Sequence, residues 1–357
     1  MLVVDGVPWG GAFNPALSTL NLVDVDRIEV QRGAAPVMYG ATSFVGVIQV
    51  VHRDAGAAHG HVAVSGGSFA SGGASFTSKV PEWAGFTSDL SVDVRRQGYR
   101  DERTSFRRGH VFWRNRRDVG SGHFRFDVDL TWLDQDPASP HPRGGASLSS
   151  ETPLDANHNP DGAFLNERRF SFNTGYDRPL ADGDWSTTLQ FAPSRQNIFG
   201  GFLTSLSDDA TSPNARGIRE NIDVFDLYFD THYARDFSPK LKGIIGLDHL
   251  HGNGDAEGAD FSYFAPLSGA TAIPVEAPIE ADLGVRDRRD FTGLYAFTEW
   301  FPVESLRLEA GLRLNRTDEE RMGDEAGRAA SPEEEAANLQ SHARLSGSAG
   351  AAWNGLG

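Results

Sequence analysis

The sequence has no cysteine among its 357 residues. It can therefore form no disulfide framework, no thiolate metal site and no thiol nucleophile. Basic residues are also in deficit, since 33 Lys and Arg stand against 49 Asp and Glu and give a formal net charge of -16. Without a basic surplus the chain cannot neutralise phosphates, which excludes nucleic acid as a partner.

Long apolar runs are also missing. No segment approaches the ~18 consecutive apolar residues of a transmembrane helix, which excludes a helical membrane protein. A membrane β-barrel is not excluded, because its strands alternate apolar and polar residues and look only mildly hydrophobic. The sequence contains no G-x-S-x-G, no H-E-x-x-H and no phosphate-binding loop, so we predict neither an enzyme nor a bound cofactor.

From about His59 onward, apolar and polar residues alternate in long segments. Between Phe124 and Trp132 every even position is apolar, and every odd position is Arg, Asp or Thr. A period of two gives a strand one apolar and one polar face. Twelve such segments occur, near residues 59–67, 71–80, 85–97, 104–117, 120–134, 167–179, 183–197, 221–236, 239–252, 288–302, 305–318 and 342–354.

The connections between these segments are alternately short and long from the second strand onward. Turns such as 118–120 and 180–183 are short, whereas the connections at 135–166 and 198–220 are long. This sorting is typical of outer-membrane barrels, which have short periplasmic turns and long external loops. A soluble sandwich or propeller also alternates apolar and polar residues, but four loops of this length do not suit a compact sandwich, and no propeller repeat is found.

Residues 1–55 have a different texture, with short apolar segments and tight turns. Asp5-Gly6-Val7-Pro8 is followed by Val25-Asp26-Arg27-Ile28-Glu29-Val30-Gln31-Arg32-Gly33, by Tyr39-Gly40 and by Gly46-Val47-Ile48-Gln49-Val50-Val51. In order and spacing this region resembles the plug domain of TonB-dependent receptors, with its patterns D-G-V-P, V-D-R-I-E-V-x-R-G-P, Y-G and G-G-V-I-N-I. The departures from those patterns are mild: Ala34, Val45 and Gln49.

The resemblance implies an all-β antiparallel membrane barrel over residues 56–357 and a partial α+β plug over residues 1–55. In this family the barrel has about 22 strands, of which about twelve are present here. Neither end of the sequence reads as a natural boundary, so we expect a fragment, with an export signal, the early plug and later strands lying elsewhere. An incomplete barrel would leave an open sheet edge in lipid, which is strongly disfavoured.

The resemblance also implies a function. Such receptors lie in the Gram-negative outer membrane, in contact with its lipid, and take up a scarce, large ligand: most often a ferric siderophore, or else haem or cobalamin. The TonB–ExbB–ExbD complex supplies the energy by pulling on the plug. The alternatives are a passive porin-like barrel, a signalling receptor with an extra domain, and a non-functional fragment.

The plug-like strand suggests how the lumen is closed. Ile28 and Val30 point to one side and are expected to pack in the module's core, whereas Arg27 and Glu29 point to the other. Charges inside a pore need partners, and the inward faces of the barrel offer Arg125, Asp127, Asp129, Asp226, Asp230, Arg307, Glu309 and Arg313. The predicted plug–barrel contact and gating residues are Arg27, Glu29, Arg32, Gly33, Tyr39 and Gly40.

Aromatic residues supply the ligand candidates. Trp9, Phe13 and Asn14 follow the D-G-V-P turn, where a loop at the top of a plug would lie. An aromatic side chain there could stack on a siderophore, although simple packing explains it equally well. In the long loops, the ligand candidates are Phe199, Phe202 and Tyr263.

One long loop resembles the start of a calcium-binding loop. Asp155, Asn157, Asn159 and Asp161 follow the alternate spacing of an EF-hand. However, Pro160 takes the place of the required Gly, no Glu follows at the twelfth position, and Asx residues are ordinary turn formers. We therefore predict no metal site and keep these four residues only as a weak Ca²⁺ candidate.

Overall fold

The structure is a computed structural model that describes residues 1–13, 17–32, 37–40, 46–57, 60–101, 103–270, 279–322 and 339–353. In that part of the chain, no helix has the length and apolar character needed to span a membrane. Helical geometry is confined there to two 3₁₀ turns, Leu17–Thr19 and Val37–Tyr39. Almost all other regular structure is β-strand, as the all-β class predicts.

The N-terminal module, residues 1–57, is built on a four-stranded sheet. Its strands are β1 (Leu2–Val4), β2 (Val7–Pro8), β3 (Val25–Arg32) and β4 (Gly46–His52). The strand order is β2-β1-β4-β3, with β1 and β4 parallel and the other pairs antiparallel. Asp5 and Gly6 form the predicted turn, with φ of 48° and 84°, so the D-G pair supplies the positive φ values that the turn requires.

The expectation that Ile28 and Val30 lie in the module's core is wrong. Their side chains are 49% and 60% exposed, and almost all of β3 is exposed. β3 is the edge strand of its sheet, and only its first residue, Val25, packs against the core. The core instead forms around β1 and β4, where Val3, Val4 and Val50 are buried, because these strands have a neighbour on each side.

In the described residues that follow the module, twelve strands form one antiparallel sheet in sequence order, which confirms the predicted number. The strands are β5 (His61–Gly66), β6 (Gly72–Trp83), β7 (Phe86–Gly98), β8 (Ser105–Val119), β9 (Gly122–Asp136), β12 (Phe164–Leu180), β13 (Gly183–Leu203), β14 (Ala215–Ser238), β15 (Leu241–Tyr263), β16 (Ile279–Val303), β17 (Leu306–Met322) and β18 (Leu339–Trp353). The short strands β10 (Arg143–Gly144) and β11 (Ser147–Leu148) form a hairpin within one long loop. In the described residues, β5 and β18 are the two edges and do not pair with each other.

The two faces of the large sheet differ as the alternation predicts. Leu312 and Ile245 are 62% and 55% exposed on the apolar outer face. The other face, called the wall below, carries buried polar groups such as Asp226, Asp248 and Arg313. An apolar surface toward lipid and a polar surface toward the interior is the arrangement of outer-membrane barrels. The wall holds the N-terminal module.

Turns and loops are sorted by side, as predicted. The tight turns 84–85, 120–121, 181–182, 239–240 and 304–305 all lie on one side of the sheet. The other side, the long-loop side, carries the connections 99–104, 137–163 and 204–214.

The strands extend further toward the long-loop side than the sequence pattern indicated. β13 continues to Leu203 instead of ending near 197, and β15 continues to Tyr263 instead of ending near 252. The added segments keep their backbone pairing and contain two glycines each, and residues 253–263 also contain three carboxylates. Alternation marks only the part of a strand that has one face in lipid, so it stops where pairing continues in water.

Candidate functional site at the module–wall interface

The turn after β2, residues 9–13, is the apical turn, and the wall binds both the N–H and the C=O of one of its residues, Ala12. The backbone N–H of Ala12 donates to Asp226 Oδ1 at 2.9 Å. The backbone C=O of Ala12 accepts from Arg289 Nη1 at 3.2 Å. Hydrogen bonds with charged partners are the stronger ones, at about 1.5–3 kcal/mol each. This pair fixes the position of the apical turn on β14 and β16.

Two cation–π contacts reinforce this position. The Arg169 guanidinium lies 4.1 Å from the centre of the Trp9 ring, and the Arg289 guanidinium lies 4.9 Å from the centre of the Phe13 ring. Trp9 is 8% exposed, so its contact is desolvated and therefore stronger than a surface one. Trp9 and Phe13, predicted as ligand residues, thus both contact the wall.

A second contact lies closer to the tight turns of the wall. The 3₁₀ turn Val37–Tyr39 packs on β16 through a buried cluster of Val37, Tyr295 and Phe297. Arg313 Nη1 donates to the Val37 carbonyl at 3.4 Å, and the same guanidinium holds both carboxylate oxygens of Asp248, at 2.5 and 2.6 Å. The bidentate pair therefore fixes the direction in which the arginine points.

A third contact is a buried ionic group near the ends of β1 and β4, called the lower cluster (Asp5, His52, Arg114 and Asp127). The N–H of His52 donates to Asp5 Oδ1 at 2.9 Å, and His52 Nδ1 lies 2.8 Å from Asp5 Oδ2. On the wall, Arg114 pairs with Asp127 at 3.4 Å and donates to the carbonyl of Arg53. One arginine of the wall therefore bridges a wall carboxylate and the module's backbone.

The charges of the lower cluster shift the pKa of Asp5. Burial alone would raise it, but the hydrogen bond and charge of His52, with the charge of Arg114, outweigh burial and lower the pKa of Asp5 to about 2. The pKa of Asp24 shifts the other way, because burial and the nearby charge of Asp89 raise it. Asp5 is the group whose ionised form the folded module stabilises.

Acid should therefore loosen the module through Asp5. Its folded pKa lies below the unfolded value near 4, so ionised Asp5 contributes about 2 kcal/mol at neutral pH, and this is lost as the pH falls from about 4 to 2. We expect His52→Leu to remove that acid dependence and His123→Leu, at an exposed turn, to keep it. The measurement is the denaturant midpoint of the module at pH 6 and pH 3. An unchanged acid dependence in His52→Leu would contradict the assignment.

The module and the wall enclose a cavity of about 370 Å³. Four predicted site residues line it: Trp9, Phe13, Tyr39 and Gly40. The wall contributes Tyr228, Leu250, Phe291 and Arg313. Tyr39 also donates from its hydroxyl to Gln49 Oε1 at 3.2 Å. The structure thus brings residues predicted for gating and residues predicted for ligand binding to one cavity, which is aromatic and has a cation at its edge.

Arg27, Glu29 and Arg32, which were also predicted for gating, do not line this cavity. Arg27 pairs with Glu29 at 2.7 Å and with Asp26 at 3.1 Å. These partners are on its own strand, and none is a wall residue. Arg32 is exposed at the end of β3, and Gly33 lies outside the described residues. A gating role for these four stays a prediction, whereas the contact with the wall is made by the residues above.

The aromatic residues predicted for the long loops lie instead in the extended ends of β13 and β15, and two of the three are buried. Phe199 is 7% exposed and stacks on Phe261 with 5.8 Å between ring centres. Tyr263 is 6% exposed and donates from its hydroxyl to the carbonyl of His158 at 2.7 Å. Phe202 is 44% exposed. Asn14 lies outside the described residues, and the ligand role of all four stays a prediction.

The calcium-like loop uses its oxygens for other bonds. Asn157 Oδ1 accepts from the N–H of Asn159 at 3.1 Å, and Asn159 Oδ1 accepts from the N–H of Gly201 at 2.8 Å. Asp155 pairs with Arg100 at 3.2 Å, and Asp161 is exposed. Among the described residues, no three His, Cys, Asp or Glu side chains are grouped to hold a metal ion.

Sequence reasoning identified Asp127, Asp226 and Arg313 as inward-facing but missed other residues that hold the module. The missed residues are Arg114, Arg169, Asp248, Arg289 and His52. The alternation could have placed the first four on the polar face. It could not show which of them reach the module, because that depends on how far the module sits inside the sheet.

Comparison with protein-family models finds one match, in which residues 1–47 fit the TonB-dependent Receptor Plug Domain. A search of curated proteins finds no match. Residues 1–47, which carry the D-G-V-P and V-D-R-I-E-V patterns, thus match the plug family that those patterns indicated.

Solved structures share the whole fold. The siderophore receptor PiuA from Acinetobacter baumannii matches with a TM-score of 0.72 at 14% identity, over 98% of this chain and 53% of that one. The ferric yersiniabactin uptake receptor FyuA from Yersinia pestis matches with 0.65 at 16% identity, over 98% and 51%. The pyoverdine receptor FpvA from Pseudomonas aeruginosa PAO1 matches with 0.73 at 13% identity, over 92% and 51%. At these identities the likeness is one of fold, and the chain spans about half the length of these receptors.

Proposed function

We propose that this chain, whose first 47 residues belong to the TonB-dependent receptor plug family and whose sheet has the fold of siderophore-receptor barrels, acts in ligand-gated uptake across the outer membrane. The family consists of transporters and not of enzymes. The plug would block the pore until a ligand and an energy source displace it. No covalent step is required.

The observation that carries this proposal is the seating of the plug on the wall. The apical turn contacts β14 and β16, the Val37–Tyr39 turn contacts β16 and β17, and the lower cluster involves β8 and β9, in each case through buried polar groups. A passive porin keeps an aqueous channel open, and a separate domain held in its lumen would obstruct that channel. The seated plug therefore favours gated transport over the porin alternative.

A ferric siderophore is the ligand we propose. PiuA, FyuA and FpvA, which share the fold, are named for siderophores or for the pyoverdine that they bind. The cavity beside the apical turn offers aromatic rings and an arginine, which suit a flat or anionic chelate. Haem and cobalamin remain the alternative ligands.

The TonB–ExbB–ExbD complex is the proposed source of energy. The plug is held by several hydrogen bonds between charged wall side chains and its backbone, each worth about 1.5–3 kcal/mol, and these must break together before the plug can leave. A gated receptor with this interface therefore requires an external force on the plug. The proposed location is the Gram-negative outer membrane, where the apolar outer face contacts lipid.

Uptake of iron tests the proposal. The complete reading frame that encodes residues 1–357 is expressed in a Gram-negative host without siderophore receptors, and radioactive iron uptake is measured with ferric hydroxamate, catecholate and mixed-ligand siderophores. We expect saturable uptake of at least one chelate that disappears when TonB is deleted. Uptake that persists without TonB, or permeation of small sugars instead, would favour the passive barrel.

A further inference from the structure

Three connections on the long-loop side meet at one arginine. Arg103, in the connection 99–104, donates from Nη1 to the carbonyl of Asn157 at 2.9 Å and from Nη2 to the carbonyl of Asn159 at 2.7 Å. Its Nη1 also lies 3.3 Å from the carbonyl oxygen of Gly269, which follows β15. The planar guanidinium has several donors in fixed directions, so it can hold carbonyls of different segments at once.

The segment 157–159 is itself buried and fully engaged. The Asn157 amide donates to Asp101 Oδ2 at 2.9 Å and to the carbonyl of Pro137 at 3.0 Å. The carbonyl of His158 accepts from the Tyr263 hydroxyl. Asn157, His158 and Asn159 are 3%, 1% and 3% exposed. Loop backbones of this length are normally solvated and variable, whereas this one has the burial and polar satisfaction of a core.

The third connection, 264–270, lies so close to the second that a side chain larger than hydrogen does not fit at Gly269. Gly269 has a φ of 69°, and a Cβ there would lie 2.6 Å from the Cα and Cβ of Ala156. His158 Nε2 lies 3.2 Å from the carbonyl oxygen of Leu267 in the same connection. The three connections are therefore packed as one body, with Arg103 at the point where they meet.

We propose that Arg103 is a positioning residue that assembles the connections 99–104, 137–163 and 264–270 into one preformed outer platform before any ligand arrives. The recognition role of that platform rests on the proposed function, whereas its assembly does not. The asparagines of the segment that resembles a calcium-binding loop have a structural role instead, because their side chains make hydrogen bonds within the platform. A receptor built in this way meets its ligand with a fixed surface instead of closing mobile loops around it.

Hydrogen exchange in ligand-free protein tests the assembly. Arg103→Met removes the donors and keeps an unbranched apolar chain. We expect the amides of residues 157–159 and 201 to exchange at least tenfold faster in this variant, with the amides of β7 and β8 unchanged. Arg100→Met is the matched control, because Arg100 lies in the same connection but is exposed, and its ion-pair partner among the described residues is Asp155. The exchange rates in this variant should match those of the wild type. Arg103→Lys, which restores one donor group, should give an intermediate rate.

Uptake kinetics test the positioning role. With whichever siderophore of the panel supports iron uptake, Arg103→Met should raise the concentration for half-maximal uptake at least tenfold and leave the maximal rate within twofold. Equal exchange rates in Arg103→Met and Arg100→Met, or unprotected amides at 157–159 in the wild type, would overturn the proposal, as would unchanged uptake kinetics. Absence of uptake by the wild type would count against the proposed function only, since exchange is measured without ligand.

Discussion

Replacing Gly11 by alanine should release the apical turn from the wall and destabilise the seated plug by about 3 kcal/mol. Gly11 has a φ of 58°, which costs an L-residue about 1 kcal/mol. A Cβ there would also overlap the carboxylate of Asp226, so the hydrogen bond from Ala12 would be lost at a cost of about 2 kcal/mol.

Trp9 provides the signal for this measurement. It is the single tryptophan in residues 1–57, so fluorine NMR of fluorotryptophan-labelled protein, assigned with Trp9→Phe, follows the plug in a denaturant titration. Gly6→Ala is the matched control. Gly6 has a φ of 84° but open space around the Cβ position, so this variant should lose only about 1 kcal/mol.

A double variant separates the two causes. In Gly11→Ala/Asp226→Ala the obstructing carboxylate is gone, and we expect the loss to be smaller than the sum of the two single losses by about 1 kcal/mol or more. If Gly11→Ala and Gly6→Ala destabilise the plug equally, the hydrogen bonds of Asp226 and Arg289 to Ala12 do not hold the apical turn.

Replacing Arg114 by methionine should have the largest effect of any single change at the interface. Arg114 is 7% exposed and pairs with Asp127, and it donates to the carbonyl of Arg53. Its loss leaves buried carboxylates without their cation, which costs about 3–5 kcal/mol. The plug transition should therefore move to much lower denaturant at pH 7. The loss should shrink as the pH falls, because a protonated carboxyl group carries no unpaired charge.

Two further variants make this prediction specific. Arg117→Met, on the same strand but exposed, should change stability by less than about 1 kcal/mol. Arg114→Met/Asp127→Asn removes both charges of the pair and should recover part of the lost stability. Removing both charges costs less than leaving one buried charge without its partner. A double variant as unstable as Arg114→Met would show that the destabilisation does not arise from the unpaired charge.

The sequence predicted the strands far better than it predicted the contacts. Alternation at positions such as Phe124 to Trp132 depends only on the environment of each face, so it could be read directly and gave twelve strands in the right order. The ends of β13 and β15 were missed, because backbone pairing outside the lipid leaves no such pattern. Local residue chemistry was therefore sufficient to predict the strands within the lipid layer, but not the positions at which the strands end.

The plug shows the same division. Its motif was recognisable, and the turn at Asp5 and Gly6 follows from local φ preferences. The interface, however, joins residues more than two hundred positions apart, such as Ala12 and Asp226. No spacing rule connects such residues. The most recognisable strand, β3, was expected to lock onto the wall, but in the structure Arg27 pairs with its own neighbours.

The strand order of the plug also determines how it would respond to a mechanical pull. The amino group of Met1 donates to the carbonyl of Gly46 at 2.9 Å, and β1 then runs parallel to β4, with Leu2 opposite Ile48 and Val4 opposite Val50. A force applied to the amino end of β1 acts along the strand, so it loads these cross-strand bonds together in shear instead of opening them one at a time. The central sheet would then move as a unit, and the first bonds to break would be those that join it to the wall.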